Sequence, residues 1–329
     1  MRRSPKKSSA LSVADFATEW LGRKAQRVRP SVAINYEAKL SLFILPRLGH
    51  IALEDLTRED IEGWVTWAET AKMKSGRAYT RATVTGWWRA LVTLVKDAVA
   101  ELGLPVDPTN RVRAPKPRQQ GRREKGTLTA DQLGSLLGEL KRIAPERYAE
   151  VYILAYSGVR AGELYALSDE DVDEKRARIL IRKSVWNGHL DSTKTDSPRE
   201  VALTPGMLAV IREHRAFLEA SFHRGRKGTL LFPAQTGGYR TGQTLRKPLA
   251  RAAEAAGIEQ VVTPQVLRRT VNTLLLLSGV DRIVIRSQLG HVSEQMTERY
   301  AGIGVDAKLD AVARMEARKR MVTATDVPL

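Results

Sequence analysis

The first third of the chain carries apolar side chains at the spacing of amphipathic helices. Val13, Phe16 and Trp20 recur every three or four residues, and a second stripe of the same period occupies residues 84–95. Polar and charged residues fill the positions between them, as on the solvent side of a helix. This pattern predicts a wholly helical region over residues 11–110.

Farther along the chain the period changes from helical to strand-like. Residues 178–182 form a predicted strand, Asn187-Gly188 is a hairpin turn, and the strand after this turn reaches Lys194. A third strand is predicted over residues 199–203. Helical patterns with threonine caps surround these strands, so the second region is predicted to be mainly helical with one small antiparallel sheet.

Residues 111–125 separate the two regions and differ from both in composition. Proline and glycine disfavour a helix there, and nearly all of the charges are positive. The basic residues are Arg111, Arg113, Lys116, Arg118, Arg122, Arg123 and Lys125. We expect an extended basic linker, which is either a solvated hinge or a segment lying along a polyanion. The predicted order is a basic tail over 1–10, a helical domain over 11–110, the linker over 111–125, a second domain over 126–320 and a tail over 321–329.

The charge balance of this 329-residue chain narrows the function classes. Lys and Arg number 54 against 37 Asp and Glu, a formal net charge of +17. Such an excess favours a polyanionic partner, most simply nucleic acid, over a basic protein without one. The chain has no cysteine, which excludes disulfides, thiolate catalysis and cysteine-ligated zinc and fits a reducing cytoplasm. The longest apolar run, residues 274–277, is far too short for a bilayer, so no membrane partner is expected.

A histidine and a tyrosine near the C-terminus and two upstream arginines carry the candidate chemistry. His291 follows a Leu-Gly pair, and Tyr300 lies nine positions after it. Arg160 follows a glycine that is predicted to end a helix, and Arg268 lies one turn into another helix. Attack on a phosphodiester builds negative charge on the non-bridging oxygens, which two guanidinium forks are suited to bind. Tyr300 as nucleophile would conserve the bond energy in a covalent phosphotyrosine, so that no ATP is needed.

Two further features bear on proton transfer and on cofactors. Lys194 lies near the end of a predicted strand, where it can protonate a leaving oxygen if neighbouring arginine charges lower its pKa. The acidic run from Asp169 to Glu174 raises the question of a metal, but it lacks the ordered ligand spacing of a calcium loop, and basic residues follow it. We expect a solvated turn there, and neither a metal nor another cofactor.

Taken together, these residues resemble the motifs of the tyrosine recombinase, or phage integrase, family. The likeness covers nearly the whole chain, because residues 11–110 are similar to the helical core-binding domain of that family and residues 126–320 to its catalytic domain. It implies a two-domain clamp on DNA, mainly α with a small antiparallel β-sheet, in which the basic linker residues become candidate DNA contacts. The catalytic residues that the resemblance implies are Arg160, Lys194, Arg268, His291 and the nucleophile Tyr300, with Glu163 in a supporting role.

One position departs from the family pattern. The residue three positions before the second arginine is usually histidine, and here it is Gln265. Glutamine can donate a hydrogen bond but cannot titrate near neutral pH. Phosphate positioning is expected to survive this change, whereas proton transfer is put in doubt.

The resemblance implies a site-specific recombinase that integrates or excises a mobile element by cleaving and rejoining DNA through a 3′-phosphotyrosine. Its implied partners are double-stranded DNA at specific recombination sites and other copies of the chain, as a homotetramer on two duplexes. It also implies a place at the nucleoid in the cytoplasm, and it leaves room for accessory DNA-bending proteins.

Two alternatives stay open at this point. One is a recombinase-like DNA-binding protein with impaired strand transfer, for which Gln265 is the only support. The other is a type IB topoisomerase-like enzyme, which uses the same chemistry on one duplex. In the tail, Leu309, Val312 and Met315 form one apolar helical face, which packs either on its own domain or on a neighbouring protomer.

Overall fold

The computed structural model describes residues 11–117, 126–192, 198–290, 309, 312 and 313. Contacts between Cα atoms divide the chain into two compact units, Met1–Arg123 and Glu124–Leu329. We call them the helical unit and the second unit. The division falls inside the predicted linker, and the finer domain limits stay a prediction.

The helical unit consists of helices joined by short connections. Ser12 and Thr57 cap α1 and α4 in capping boxes with Asp15 and Asp60, so both starts are satisfied by residues three positions away. A π-helical turn, Leu40–Ile44, connects α2 to α3. The helices are α1 (Val13–Arg27), α2 (Pro30–Lys39), α3 (Leu45–Leu48), α4 (Arg58–Thr70) and α5 (Arg81–Leu102).

Aromatic side chains form the centre of the helical unit. Trp20, Trp64 and Trp87 are each 2% exposed, and the ring of Phe43 stacks on Trp87 with centroids 3.9 Å apart. The indole Nε1 of Trp64 donates to the Phe43 carbonyl at 2.9 Å, so the buried polar atom is satisfied. These contacts confirm the predicted helical stripes and the core position of Trp87.

The second unit is also mainly helical. Thr129, Thr204 and Thr263 cap three of its helices, as their sequence contexts predicted. Its core packs α6 against α7 and α10, and α7 against α11. The helices are α6 (Ala130–Ile143), α7 (Pro145–Ser157), α8 (Ala161–Leu164), α9 (Pro205–Ala220), α10 (Arg246–Ala255), α11 (Pro264–Leu277) and α12 (Arg282–Leu289).

Among the described residues, five short strands accompany these helices and form two sheets, whereas one sheet was predicted. The strands are β1 (Val172–Asp173), β2 (Arg178–Ile181), β3 (Lys183–Trp186), β4 (His189–Ser192) and β5 (Arg199–Ala202). One antiparallel sheet has the order β1-β2-β5, and β3 pairs with β4 as a separate hairpin. The chain leaves the first sheet at Arg182, whose side chain binds Asp171 at 2.6 Å. The hairpin instead packs against α8, where Gly162 leaves room for the Val185 carbonyl.

Three other predictions concern the linker, the tail and membranes. Pro115 and Pro117 are buried and the amide of Lys116 donates to Glu69 at 2.6 Å, so the first part of the predicted linker packs on the helical unit. Val312 is fully buried in the core of the second unit, which favours packing of this residue on its own domain, whereas Met315 of the predicted apolar face lies outside the described residues. Within the described ranges, no helix has the length and apolar content needed to cross a bilayer.

Candidate active site

The first motif arginine lies on a sharp turn between two helices. Helix α7 ends at Gly158, whose φ of +68° is the left-handed conformation that glycine adopts without strain. A Cβ at this position would lie 2.1 Å from Cδ2 of Leu289, so the absence of a side chain also permits close packing. The turn places Arg160 at the N-terminal cap of α8, where its side chain is one-third exposed.

The guanidinium of Arg160 is held on two sides. Its Nη1 donates to Oε1 of Glu163 at 2.7 Å, and its own backbone amide donates to Oε2 of the same carboxylate at 2.8 Å. On the other side, Nη2 donates to the carbonyl of Gly290 at 3.3 Å. Glu163 thus binds both the guanidinium and the backbone amide of Arg160, and Arg160 reaches the residue that precedes His291.

The second motif arginine lies beneath this turn. Arg268 on α11 is only 3% exposed, and it donates to the carbonyl of Gly158 and, at 2.6 Å, to that of Leu289. These bonds join the turn after α7 to the end of α12, which are more than a hundred residues apart in the chain. The structure therefore brings Arg160, Glu163 and Arg268 together.

The site contains a third arginine, which the sequence analysis did not predict. Arg199, the first residue of β5, donates from Nη2 to Oε2 of Glu163 at 2.6 Å and from Nη1 to Oε1 at 3.1 Å. Its side chain is 12% exposed. The sequence offered one weak signal, a basic residue at the start of a predicted strand, five positions after Lys194.

The charges in this cluster perturb one another strongly. Burial alone would raise the pKa of Glu163, but hydrogen bonds and charge from Arg199, and then from Arg160, lower it to about 2. Burial lowers the pKa of Arg268 to about 9, and the Arg160 charge acts in the same direction. Glu163 and Arg268 both stay ionised at neutral pH. Arg160 and Arg199 bind the one carboxylate of Glu163, and the charge of Arg268 acts on the same group, so the four residues carry two more positive charges than negative ones.

The other predicted catalytic residues divide into two groups. Lys194, His291 and Tyr300 lie outside the described residues, as do Arg118, Arg122 and Arg123 of the linker. Gln265 is described and is exposed on the first turn of α11, one turn before the buried Arg268. Arg111, Arg113 and Lys116 are exposed at the end of the helical unit.

The acidic run from Asp169 to Glu174 is not the solvated turn that the sequence predicted. Asp171 is buried and binds Arg182 at 2.6 Å, and Glu174 binds Arg215 at 2.6 Å. Because arginines neutralise these carboxylates, they belong to ion pairs around β1 rather than to a metal site. No group of three or more potential metal ligands occurs in the ranges that the structure describes.

Both parts of the chain match sequence models of known protein families. The sequence model of the Phage integrase family matches residues 126–304. A second model, described as Phage integrase, N-terminal SAM-like domain, matches residues 12–67. The first match includes every residue of the arginine–carboxylate cluster together with Lys194, His291 and Tyr300.

Relatives and solved structures agree with these matches. Tyrosine recombinase XerD of Mycobacterium tuberculosis is 31% identical over 242 residues, which cover 70% of this chain and 74% of that protein. The Tn1549 transposon integrase in complex with a circular intermediate DNA superposes with a TM-score of 0.70 at 19% identity, over 93% of this chain and 99% of that one. A lambda integrase tetramer bound to a Holliday junction gives 0.67 at 18% identity, over 89% and 78%. At such identities the two structures show a shared fold.

Proposed function

This chain belongs to the phage integrase family of tyrosine recombinases, and we propose that it integrates or excises a mobile element through a covalent 3′-phosphotyrosine. The family, the enzyme class and the mainly helical fold that the sequence predicted are confirmed. Residue roles, target and assembly belong to the proposal. One observation carries it: two motif arginines and their carboxylate converge on the Leu289-Gly290 turn, one residue before His291.

The positive charge of the cluster fits the chemistry of strand cleavage. When a hydroxyl oxygen attacks a phosphodiester, the pentacoordinate phosphorus gains negative charge on its non-bridging oxygens. Arg160 and Arg268 supply fixed guanidinium donors that cannot lose their charge at neutral pH. Glu163 orients Arg160 and accounts for one of the positive charges. Arg199 supplies a third positive charge, so two positive charges remain for the phosphate, which supports a reaction independent of metal and ATP.

The proposed reaction forms one bond and breaks another at the same phosphorus. Oη of Tyr300 loses its proton and attacks, so that a tyrosine–phosphorus bond forms on the 3′ side. The bond from phosphorus to the 5′ oxygen breaks, and Lys194 donates the proton that this oxygen needs. His291 accepts the tyrosine proton. Rejoining reverses these steps when a 5′ hydroxyl of the partner strand attacks the phosphotyrosine.

The proposed partners are DNA duplexes and three further copies of the chain. The net charge of +17 favours extensive phosphate contact. The proposed DNA contacts of the linker region are Arg111, Arg113, Lys116, Arg118, Arg122 and Arg123. A tetramer on two duplexes is proposed by analogy with the lambda integrase tetramer on a Holliday junction. Accessory DNA-bending proteins and a location at the nucleoid in the cytoplasm belong to the same proposal.

The two alternatives are less well supported. A type IB topoisomerase-like enzyme would relax one duplex, whereas the matching relatives are recombinases and integrases. A protein without strand transfer has only Gln265 in its favour, and Arg160, Glu163 and Arg268 keep the arrangement that charge stabilisation requires.

Covalent attachment tests the proposal. Duplexes bound by the Tyr300→Phe protein are selected from a randomised pool. The selected site is then nicked near its centre, so that the covalent protein–DNA intermediate accumulates after cleavage. In excess EDTA, the parent protein is expected to yield a protein–DNA adduct that survives denaturation. The nucleotide in this adduct should be linked through its phosphate to Tyr300. Tyr239→Phe, a tyrosine of the same unit outside the motifs, is the matched control and keeps the adduct. An adduct formed by Tyr300→Phe, or a requirement for Mg²⁺, contradicts the proposal.

A further inference from the structure

Arg199 differs from other ion-paired arginines of the same sheet in the balance of charge around it. Arg178 on β2 has two carboxylates for one guanidinium, with Nε donating to Asp173 at 3.2 Å and Nη1 to Glu200. Arg199 shares the single carboxylate of Glu163 with Arg160. An excess of buried positive charge is unfavourable for folding alone. A gain in folding stability therefore does not account for the position of Arg199 beside Glu163 and Arg160. The excess positive charge instead suits a site that binds an anion.

The side chain of Arg199 also lies directly under the turn that leads to His291. Gly290 has φ of +68°, and a Cβ there would lie 2.5 Å from Nε and 2.7 Å from Cζ of Arg199. The backbone of Gly290 can rest on the guanidinium only because it carries no side chain. Nε of Arg199 is buried and, among the described residues, has no hydrogen-bond partner. Arg199 is thus placed against this turn by packing and against Glu163 by two hydrogen bonds.

The strand that carries Arg199 is itself fixed relative to this turn. Arg199 pairs with Ile181 on β2, and at the other end of β5 the side chain of Gln288 accepts from the amide of Ala202 at 3.1 Å. Gln288 lies on α12, two residues before Gly290. In the chain, Arg199 follows Lys194 by five positions. One side chain therefore connects the carboxylate that binds Arg160 with the turn before His291.

We infer that Arg199 is a positioning residue for strand cleavage, acting through Glu163 and Gly290 to set Arg160 and His291 against the same phosphate. The inference rests on the proposed function. Arg199 itself does not touch the reacting atoms in this assignment. A neutral residue at this position removes the two hydrogen bonds that hold the Glu163 carboxylate from the side of β5, and it removes the support under Gly290. Displacement of a catalytic group by about 1 Å can cost on the order of 10²-fold in rate.

The experiment compares Arg199→Met with Arg178→Met, a matched removal of an ion-paired arginine from the neighbouring strand. Single-turnover adduct formation is measured at saturating protein on the selected nicked duplex, alongside affinity for the intact duplex and stability in urea. We expect Arg199→Met to slow adduct formation by about 10²-fold at nearly unchanged affinity. Arg178→Met is expected to lose stability and to keep the parent's rate.

Two further variants separate positioning from a general loss of structure. Arg199→Lys should recover little activity, because one ammonium cannot bond both carboxylate oxygens in the bidentate geometry of arginine. The double variant Arg199→Met/Glu163→Gln should be no slower than the slower single variant, because both changes disable one unit. Additive losses, full rescue by Lys, or equal slowing in Arg178→Met overturn the inference.

Hydrogen exchange distinguishes failure of this inference from failure of the proposed function. The amide of Gly290 donates to the Arg286 carbonyl at 2.7 Å and should exchange slowly in the parent. We expect its exchange to accelerate in Arg199→Met and to stay unchanged in Arg178→Met. If the parent protein forms no adduct, the proposed function is wrong. The exchange rate of the Gly290 amide then still shows whether Arg199 supports the turn at Gly290. Unaltered exchange at Gly290 in Arg199→Met refutes the support that we assign to it.

Discussion

Arg268 donates a hydrogen bond from Nη2 to the carbonyl oxygen of Leu289 at 2.6 Å, while Nη1 of the same guanidinium donates to the carbonyl of Gly158. The two carbonyls end helices α12 and α7, so one buried side chain joins the turns that carry both motifs. A guanidinium has five N–H donors, and these two bonds leave others for a phosphate oxygen. Arg268 therefore joins the two turns, and in the proposed function the same residue also binds the phosphate.

Arg268→Lys tests this double role. An ammonium has no planar fork and cannot satisfy both carbonyls, so at least one buried acceptor loses its partner. We expect a loss of about 1–3 kcal/mol in the free energy of unfolding in urea, together with a large loss of adduct formation. Arg269→Lys on the same helix is the control, because the neighbouring Arg269 is more exposed and, within the part of the chain that the structure describes, donates to the Gln265 carbonyl alone. Equal stability of the two variants would contradict the anchoring role of Arg268.

Gly290→Ala separates backbone strain from steric contact. Gly290 and Gly279 both have left-handed φ values, +68° and +75°, at the ends of helices, but a Cβ would meet Arg199 only at Gly290. Gly279→Ala is expected to cost about 1–2 kcal/mol from the left-handed conformation alone. Gly290→Ala should cost more and should also slow adduct formation, since it displaces Arg199. Thermal or urea unfolding gives the first comparison, and single-turnover cleavage gives the second.

The pKa of Glu163 predicts a pH dependence of stability. Its carboxyl titrates at about 2 in the folded protein against 4.5 when unperturbed, because Arg199 and Arg160 bind the ionised form. A lowered folded pKa contributes stability above the unfolded value, here on the order of 3 kcal/mol, and this contribution is lost as pH falls from about 4.5 to 2.

Urea unfolding of the parent and of Glu163→Gln between pH 5 and pH 2 measures this contribution. The parent should lose more stability than the variant over that interval, so the two curves should converge at the acidic end. A constant separation at every pH would mean that ionisation of Glu163 is not the source of the difference.

Gln265→His tests whether position 265 takes part in proton transfer. General acid–base help is worth about 10²- to 10⁴-fold, so the parent is expected to cleave slowly rather than not at all. The histidine variant should be faster, and its advantage should grow as pH rises through the histidine pKa, because the neutral imidazole accepts protons. Single-turnover cleavage between about pH 5.5 and 8.5 covers that range. Equal rates at every pH would remove position 265 from the proton path, and an inactive parent restored by His would favour the alternative without strand transfer.

The linker prediction concerns the salt dependence of DNA affinity. Arg111 and Arg113 are exposed, and Arg118, Arg122 and Arg123 continue the basic segment. Replacing all five with glutamine should flatten the slope of log affinity against log salt by about 4, since each phosphate contact contributes roughly 0.9. The matched control replaces five arginines that lie in ion pairs, namely Arg23, Arg58, Arg142, Arg212 and Arg226. Equal slopes for the two variants would show that the linker does not follow the phosphate backbone.

Much of the fold could be predicted from the sequence, because helix starts and hairpin turns depend on residues close together in the chain. Thr57 and Asp60 satisfy each other's backbone amides across three positions, and Asn187-Gly188 forms its hairpin turn locally. The motif arginines could also be recognised from the sequence, because the residues adjacent to each of them form a short motif. Family membership followed from these short segments.

The arrangement of the site depended on contacts that no local rule specifies. Arg199 meets Glu163 across 36 positions, and Arg268 meets Gly158 across 110, so these pairings exist only once the helices and β5 have packed. The same holds for the acidic run from Asp169 to Glu174, in which carboxylates form ion pairs with arginines on β2 and α9. Local hydrogen bonding and periodicity thus determined the elements and the candidate chemistry from the sequence. Only the tertiary structure decided which charges share one site, because Coulomb energy and burial depend on distance in space.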